Sequence, residues 1–465
     1  MAHHDRDVAV IGAGTAGLAA ERAARKAGAS TLLIDPAFAG TTCATVGCMP
    51  SKLLLAAAHS AHDARHTGVF GIRTGTVEVD GPSVMRRVRQ ERDQFVAHTR
   101  DAIRRIPDDV RVKARARFTG TTSLALDNGD TVEARAIVIA TGARPAMPPP
   151  FADLGERALT NETVFELDDL PRSIGVIGAG PIGLELAQAM ARLGVETALF
   201  DQQDALGNIA CPDVERELRR LLGAEMDIHL GADVSAERIE DGIRVEWDGQ
   251  QCDFSHVLLS LGRPPNVEGL DLERAGIELD GKGVPTFCET TMQCGDAPIF
   301  VCGDANATRS VLHEASMEGA IAGGNAAAWP DRIESSRSTP FSMIFTDPPY
   351  VHIGVGPEDG AITGRADYSD QGRAKVEARA KGLARIYADR HGRLTGADLC
   401  APGAEHFGHT LALAIEREMT ASELLSMPFY HPTLEEGLKP ALREICRAVP
   451  IDHPSDRSEG DPSGS

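Results

Sequence analysis

The chain has 465 residues, 42% hydrophobic and 25% charged, with a formal net charge of −21 at pH 7. That length exceeds what one core can serve and points to about three domains. The negative charge and the 4% aromatic content argue against nucleic acid and anionic membrane surfaces as partners.

No apolar run approaches the roughly 18 residues that span a bilayer. The start, MAHHDRD, carries acids where a signal peptide has net positive charge, so a soluble, cytoplasmic protein is expected. Nine cysteines are an odd number, and in a reducing compartment a disulfide among them is expected to be transient and catalytic.

Asp7 to Ile11 reads as a strand that runs into Gly12-Ala13-Gly14-Thr15-Ala16-Gly17 and a helix, and the next strand ends at Asp35, 23 positions after Gly12. Glycines let a backbone approach a pyrophosphate, a helix N-terminus stabilises its charge, and an acid at this distance accepts from a ribose hydroxyl. Next comes GTTCATVGCMPSK, Gly40 to Lys52. Cys43 and Cys48 lie close together, and Pro50 suits the first turn of the helix that follows. Cys48 then sits at a helix N-terminus, which favours thiolate over thiol. A redox pair competes here with two packed thiols or a metal site, though no second pair of cysteines at similar spacing supplies metal ligands.

An arginine-rich helical stretch through Ile106 reads as a solvated face. Strands follow, then AIVIATG and the proline run ARPAMPPP, which lacks helix or strand capacity and marks a domain edge near Phe151. The second domain repeats the first: Ser173 to Ile177, the turn Gly178-Ala179-Gly180-Pro181-Ile182-Gly183, a helix, and a strand ending at Asp201, again 23 positions on. Two fingerprints imply two dinucleotides, economically a flavin and a nicotinamide. Asp201, followed by Gln202 and Gln203 rather than arginine, favours NAD over NADP.

Beyond SLGRPPN, a strand into Gly303-Asp304 suggests a return to the first domain, and from Thr339 strands alternate with amphipathic helices in an α+β domain. The expected divisions are 1–150 for the first part of a flavin domain, 151–270 for a nicotinamide domain, 271–338 for the return, 339–450 for an interface domain and 451–465 for a disordered tail. His431-Pro432-Thr433-Leu434-Glu435-Glu436 reads two ways. His431 with Glu436 forms an oriented general base, whereas Thr433 with Glu436 matches a capping box, the reading these residues favour by themselves.

This order of motifs (C-x4-C then PSK, two fingerprints, ATG at Ala140 to Gly142, Gly303-Asp304, HPTxxE) resembles the flavin-dependent pyridine nucleotide-disulfide oxidoreductases from Asp7 to about Ala448. The resemblance implies two doubly wound Rossmann-like α/β domains and an α+β C-terminal dimerisation domain in a homodimer. It implies FAD held by Gly12, Gly14, Gly17, Asp35, Thr42, Lys52, Thr141, Gly142 and Asp304, and NAD held by Gly178, Gly180, Gly183, Asp201 and Gly262. Cys48 becomes the thiol facing the flavin, Cys43 the one exchanging with substrate, and Lys52 pairs with Glu185. His431, oriented by Glu436, acts on the other subunit's Cys43, so the resemblance puts the catalytic histidine ahead of the capping box.

Within the family the chain is most similar to the dihydrolipoamide dehydrogenase branch. Ser51 stands where glutathione reductases carry lysine, and no cysteine pair ends the chain as in mercuric reductases, although EGLK at Glu436 to Lys439 looks like theirs. Departures are Asp35 and Asp201 in place of glutamate, and Thr41 and Ala44-Thr45 beside the first cysteine. The implied partner is a lipoyl-bearing protein or a small dithiol. The alternatives are an NAD(P)H-dependent reductase of another disulfide or a metal ion, and a structural flavoprotein subunit of a multienzyme complex.

Overall fold

The structure, a computed structural model, describes residues 1–358 and 360–449; the tail expected to be disordered lies outside the described residues. Three large sheets and a small one organise the described residues. The first is built on the strand His3–Ile11, whose Val8, Ala9 and Val10 are fully buried. It pairs in parallel with Thr31–Ile34 on one side and Thr131–Ile139 on the other. Such continuous apolar strands belong to a parallel sheet covered on both faces. Thr131–Ile139 begins antiparallel to Ser123–Leu126 and ends parallel to Ile299–Val301, with Ile299 opposite Ile137. Residues far along the chain therefore complete the first sheet.

The helix after that late strand, Leu312–Ala328, lies against Thr15–Lys26 with almost no gap. A Cβ at Gly319 would stand 2.2 Å from the Ala16 carbonyl oxygen, and one at Gly323 would stand 2.1 Å from that of Ala20. Only glycine permits this approach.

The second sheet is parallel throughout, in the order Asp227–Leu230, Glu196–Asp201, Ser173–Ile177, His256–Leu259, Ala158–Leu159. An antiparallel meander, Val234–Ile239, Gly242–Trp247 and Gln250–Phe254, buries Ile243, Val245 and Phe254 beside it. The third sheet is antiparallel: Phe341–Ile344, Tyr350–Gly354, Leu394–Cys400, Leu383–Ala388, Ile362–Asp367. Helices Ala404–Glu416 and Lys439–Ala448 supply Phe407, Leu411, Leu442 and Ile445 to its core.

One apolar cluster crosses all three units. Leu54, Leu55 and Ala58 of helix Cys48–Arg65 meet Leu184 and Ala187 of helix Pro181–Arg192, Met85 and Val88 of helix Gly81–Arg104, and Ile344 and Tyr350. Cys48 thus opens a helix that each unit helps to hold.

The arginine-rich stretch is only partly a solvated face. Arg92 is buried and pairs with Glu166, and Arg89 donates to the Leu167 carbonyl, tying helix Gly81–Arg104 to the second unit. The proline run ends in a short helix, Pro149–Ala152, because proline costs nothing in a first helical turn. Among the described residues no helix is long and apolar enough to cross a membrane.

Candidate active site

Cys43 lies in a single helical turn, Thr42–Thr45, and Cys48 opens helix Cys48–Arg65 at its N-terminus. Both thiols are free. The neighbouring Cys43 thiol is the main reason Cys48 is lowered to about 6; partial burial opposes it and the Lys52 ammonium reinforces it. Its closeness to Cys48, with burial, raises Cys43. One sulfur is therefore a thiolate near neutrality while its neighbour keeps its proton.

One turn beyond Cys48, Lys52 donates to Glu185 Oε2 at 2.7 Å. Glu185 projects from helix Pro181–Arg192, is buried, and accepts the Phe345 N–H on its other oxygen at 2.9 Å. The Phe345 ring lies under Lys52 Nζ, 4.3 Å from its centroid. Three units meet in this one ion pair. Phe345 carries no local signal in the sequence, since its role arises only where the third sheet abuts the second fingerprint's helix.

The two glycine-rich turns are superimposable in their contacts. A Cβ at Gly12 would stand 2.3 Å from the Ala140 carbonyl oxygen, and one at Gly178 would stand 2.4 Å from that of Ser260. At Gly17 and Gly183 the obstacle is the first glycine's own carbonyl, at 1.9 Å in both. Asp35 and Asp201 bind back onto these turns: Asp35 Oδ2 accepts the Ala13 N–H at 2.9 Å and Asp201 Oδ2 that of Ala179 at 2.6 Å. Their other oxygens take the N–H groups of Ala37 and Phe38, and of Gln203. The shorter acid at each strand end therefore braces its own turn.

His431 is held by its own turn. Its Nδ1 is 3.0 Å from Glu436 Oε2, and it is mostly exposed, with 62% of its side chain accessible against 6% for Glu436. Against the cost of burial, the Thr433 N–H, His431 and Lys439 hold the Glu436 carboxyl below its ordinary range. The capping box is only half present. Glu436 accepts the Thr433 N–H at 3.2 Å, but the buried Thr433 hydroxyl makes no bond among the described residues. The turn that follows, Glu435–Leu438, is a 3-10 segment rather than the start of one long helix, and Pro440 opens the separate helix Lys439–Ala448. Among the described residues no three histidine, cysteine or carboxylate side chains converge to hold a metal.

The model of the pyridine nucleotide-disulphide oxidoreductase family matches residues 6–319, and that of the family's dimerisation domain matches residues 341–442. The chain is a pyridine nucleotide-disulphide oxidoreductase. Among curated relatives, the dihydrolipoyl dehydrogenase of Chlamydia muridarum is 31% identical over 450 residues, spanning 92% of this chain and 94% of the relative. That of Bacillus subtilis is 30% identical over 454 residues, 94% and 97% of the two chains. Among solved structures, LpdA of Mycobacterium tuberculosis aligns with a TM-score of 0.81 at 24% identity, covering 96% of this chain and all of that one. The Cu(II) complex of the HOCl-induced flavoprotein disulfide reductase RclA from Escherichia coli aligns at 0.80 and 23%, covering 94% and 99%. These two share the fold.

As a member of its family the oxidoreductase acts between dithiol and disulfide with FAD and NAD. Its own residues fit such groups. Gly14 has an ordinary extended backbone, yet a Cβ there would meet nothing within 4 Å; Gly180 is the same. Space, not conformation, explains these glycines, as a pyrophosphate drawn close to the backbone requires. Thr141 Oγ1, next to Gly142, is buried without a hydrogen-bond partner, and so is Ser260 Oγ, two residues before Gly262. Burial raises the Asp304 carboxyl, Arg263 opposes this, and no side chain among the described residues donates to it. Thr42, the first residue of its turn, is exposed beside Cys43. Sequence reasoning missed Ser260, Asn161 and Arg263, whose positions become meaningful only once the second sheet is assembled.

Proposed function

We propose that the chain is an NAD-linked dihydrolipoamide dehydrogenase working as a homodimer. The observation that carries this reading is the thiol pair: a thiolate-prone Cys48 beside the Cys43 thiol, with Lys52–Glu185 one turn behind. A dihydrolipoyl dithiol attacks through Cys43 in two thiol–disulfide exchanges. The substrate gains its S–S bond, the Cys43–Cys48 bond breaks, and two electrons move onto the enzyme thiols with two protons. FAD, when bound, supplies the two-electron chemistry that regenerates the disulfide and reduces NAD to NADH, one proton being released.

His431 of the partner subunit takes the proton from the attacking thiol, its tautomer set by Glu436 at 3.0 Å. Lys52 and Glu185 hold a fixed positive charge beside Cys48. Gly12, Gly14, Gly17, Asp35, Thr42, Lys52, Thr141, Gly142 and Asp304 make the flavin site, and Gly178, Gly180, Gly183, Asp201 and Gly262 the NAD site. The working division is 1–150 with 271–338, 151–270, and 339–450, supported by the pairing of Ile299–Val301 with the first sheet.

The test is anaerobic addition of dihydrolipoamide to the purified flavoprotein, followed by NAD. A long-wavelength thiolate-to-flavin band and then NADH formation are expected. A band that appears with NADH but not with dihydrolipoamide would replace the substrate with another disulfide or a metal ion, a reading to which Thr41 and Ala44-Thr45 beside Cys43 lend support.

A further inference from the structure

The loop between the thiols is held from outside its own unit. Val46, midway between Cys43 and Cys48, offers its carbonyl to Asn161 Nδ2 at 2.9 Å. Asn161 is buried, 6% exposed, and its Oδ1 accepts from Arg263 Nη1 at 3.2 Å. Arg263 Nη2 donates to the Ala143 carbonyl at 2.7 Å, and its charge also reaches Asp304. Only one orientation of the Asn161 amide satisfies both neighbours, because a carbonyl needs a donor and a guanidinium an acceptor.

Topology brings these residues together. Ala158–Leu159 and His256–Leu259 are adjacent parallel strands, with Leu159 opposite Leu258. Asn161 and Arg263 follow the C-terminal ends of that pair, the end of a parallel sheet where ligands bind. They thus link the C-terminal edge of the second sheet to the first unit's thiol loop.

We propose that Asn161 is a positioning residue that pins the loop between the two thiols, and that Arg263 carries this hold to the end of the nucleotide-binding strand. The proposal rests on the redox-pair reading above. Gly47 gives the loop little slack, since a Cβ there would stand 2.9 Å from the Thr42 carbonyl oxygen, yet the Val46 carbonyl still needs a partner to set the peptide plane leading to Cys48. Releasing it lets the two sulfurs drift, and Cys48 loses the neighbouring thiol that holds it down.

The test compares the reduced holoenzyme with its Asn161→Leu variant, a neutral, near-isosteric change that removes the donor. Iodoacetamide alkylation of Cys48, followed by peptide mass spectrometry across pH, is expected to shift its midpoint upward by about one pH unit, the scale of one lost hydrogen bond. The kcat with dihydrolipoamide is expected to fall about tenfold, with flavin content and the KM for NAD unchanged. Arg263→Lys, which keeps the charge near Asp304 but loses the fork, is expected to move the midpoint the same way by less, and it reads the proposal if Asn161→Leu fails to fold. An unchanged midpoint in a variant that folds and binds flavin overturns the proposal and leaves the redox pair standing. A wild-type Cys48 that alkylates as an ordinary thiol, with a midpoint above about 8, overturns the redox-pair reading and this proposal together.

Discussion

The thiol loop and the His431 turn are the two ends of one proposed reaction, and the chain builds them differently. The loop and the helix after it are braced from both other units: Asn161 on Val46 and Glu185 on Lys52 from the second, and Phe345 on both members of that ion pair from the third. The His431 turn is braced locally by Glu436, Thr433 and Lys439, and its imidazole faces outward. A site that must hold a sulfur at a set distance from its neighbour needs rigid support on every side. A proton acceptor that meets its target from another subunit needs only a fixed tautomer and an open face.

The largest effect expected to sharpen this contrast is at Cys48. Cys48→Ser removes the thiolate and is expected to cut dithiol turnover by at least about 10³-fold while flavin stays bound; loss of flavin would instead make the loop a structural element. His431→Gln should follow, with a loss of roughly 10²-fold to 10³-fold in kcat, the range for a general base. Stopped-flow measurement of enzyme reduction by dithiol locates that loss, which must fall in the thiol-exchange half and spare reduction by NADH. Glu436→Gln is expected to cost about tenfold to a hundredfold, one charge-assisted hydrogen bond, because the Thr433 N–H still holds the side chain in place. A loss as large as that of His431→Gln would mean that the carboxylate itself moves the proton.

The pH dependence separates the two ends again. Cys48 is lowered to about 6, below an ordinary thiol, so its thiolate is present above that pH and is lost as pH falls through it. The long-wavelength band of the reduced enzyme is therefore expected at pH 7.5 and to fade below about pH 6. Lys52→Met should shift that fading upward, because the ammonium is one of the groups holding Cys48 down. It also leaves the buried Glu185 with one N–H partner. The expected stability loss is about 1–3 kcal/mol, less than for a fully buried pair since a third of Lys52 reaches water. A lowered thermal midpoint checks it.

Much of this protein was legible in order along the chain. Gly12 and Gly178, the acids 23 positions later, the Cys43–Cys48 spacing and Pro50 are local signatures, because a tight turn, a helix start and a nearby thiol pair are each decided within a few residues. The His431 turn was legible only as an ambiguity, since one carboxylate three residues past a threonine and five past a histidine serves either. The structure gave Glu436 to His431 and to the Thr433 backbone, leaving the threonine hydroxyl out.

By itself, the sequence determined the two glycine-rich turns, the close spacing of Cys43 and Cys48, and the place of Cys48 at a helix N-terminus, since all of these follow from backbone sterics over short range. Tertiary structure alone decided what surrounds them. The late strand Ile299–Val301 completes the first sheet and delivers Asp304; Phe345 slides under Lys52; Asn161 reaches Val46. Each is a contact between segments more than a hundred residues apart, governed by how sheets stack and helices pack, and no periodicity in one segment encodes which distant partner fills the space beside it.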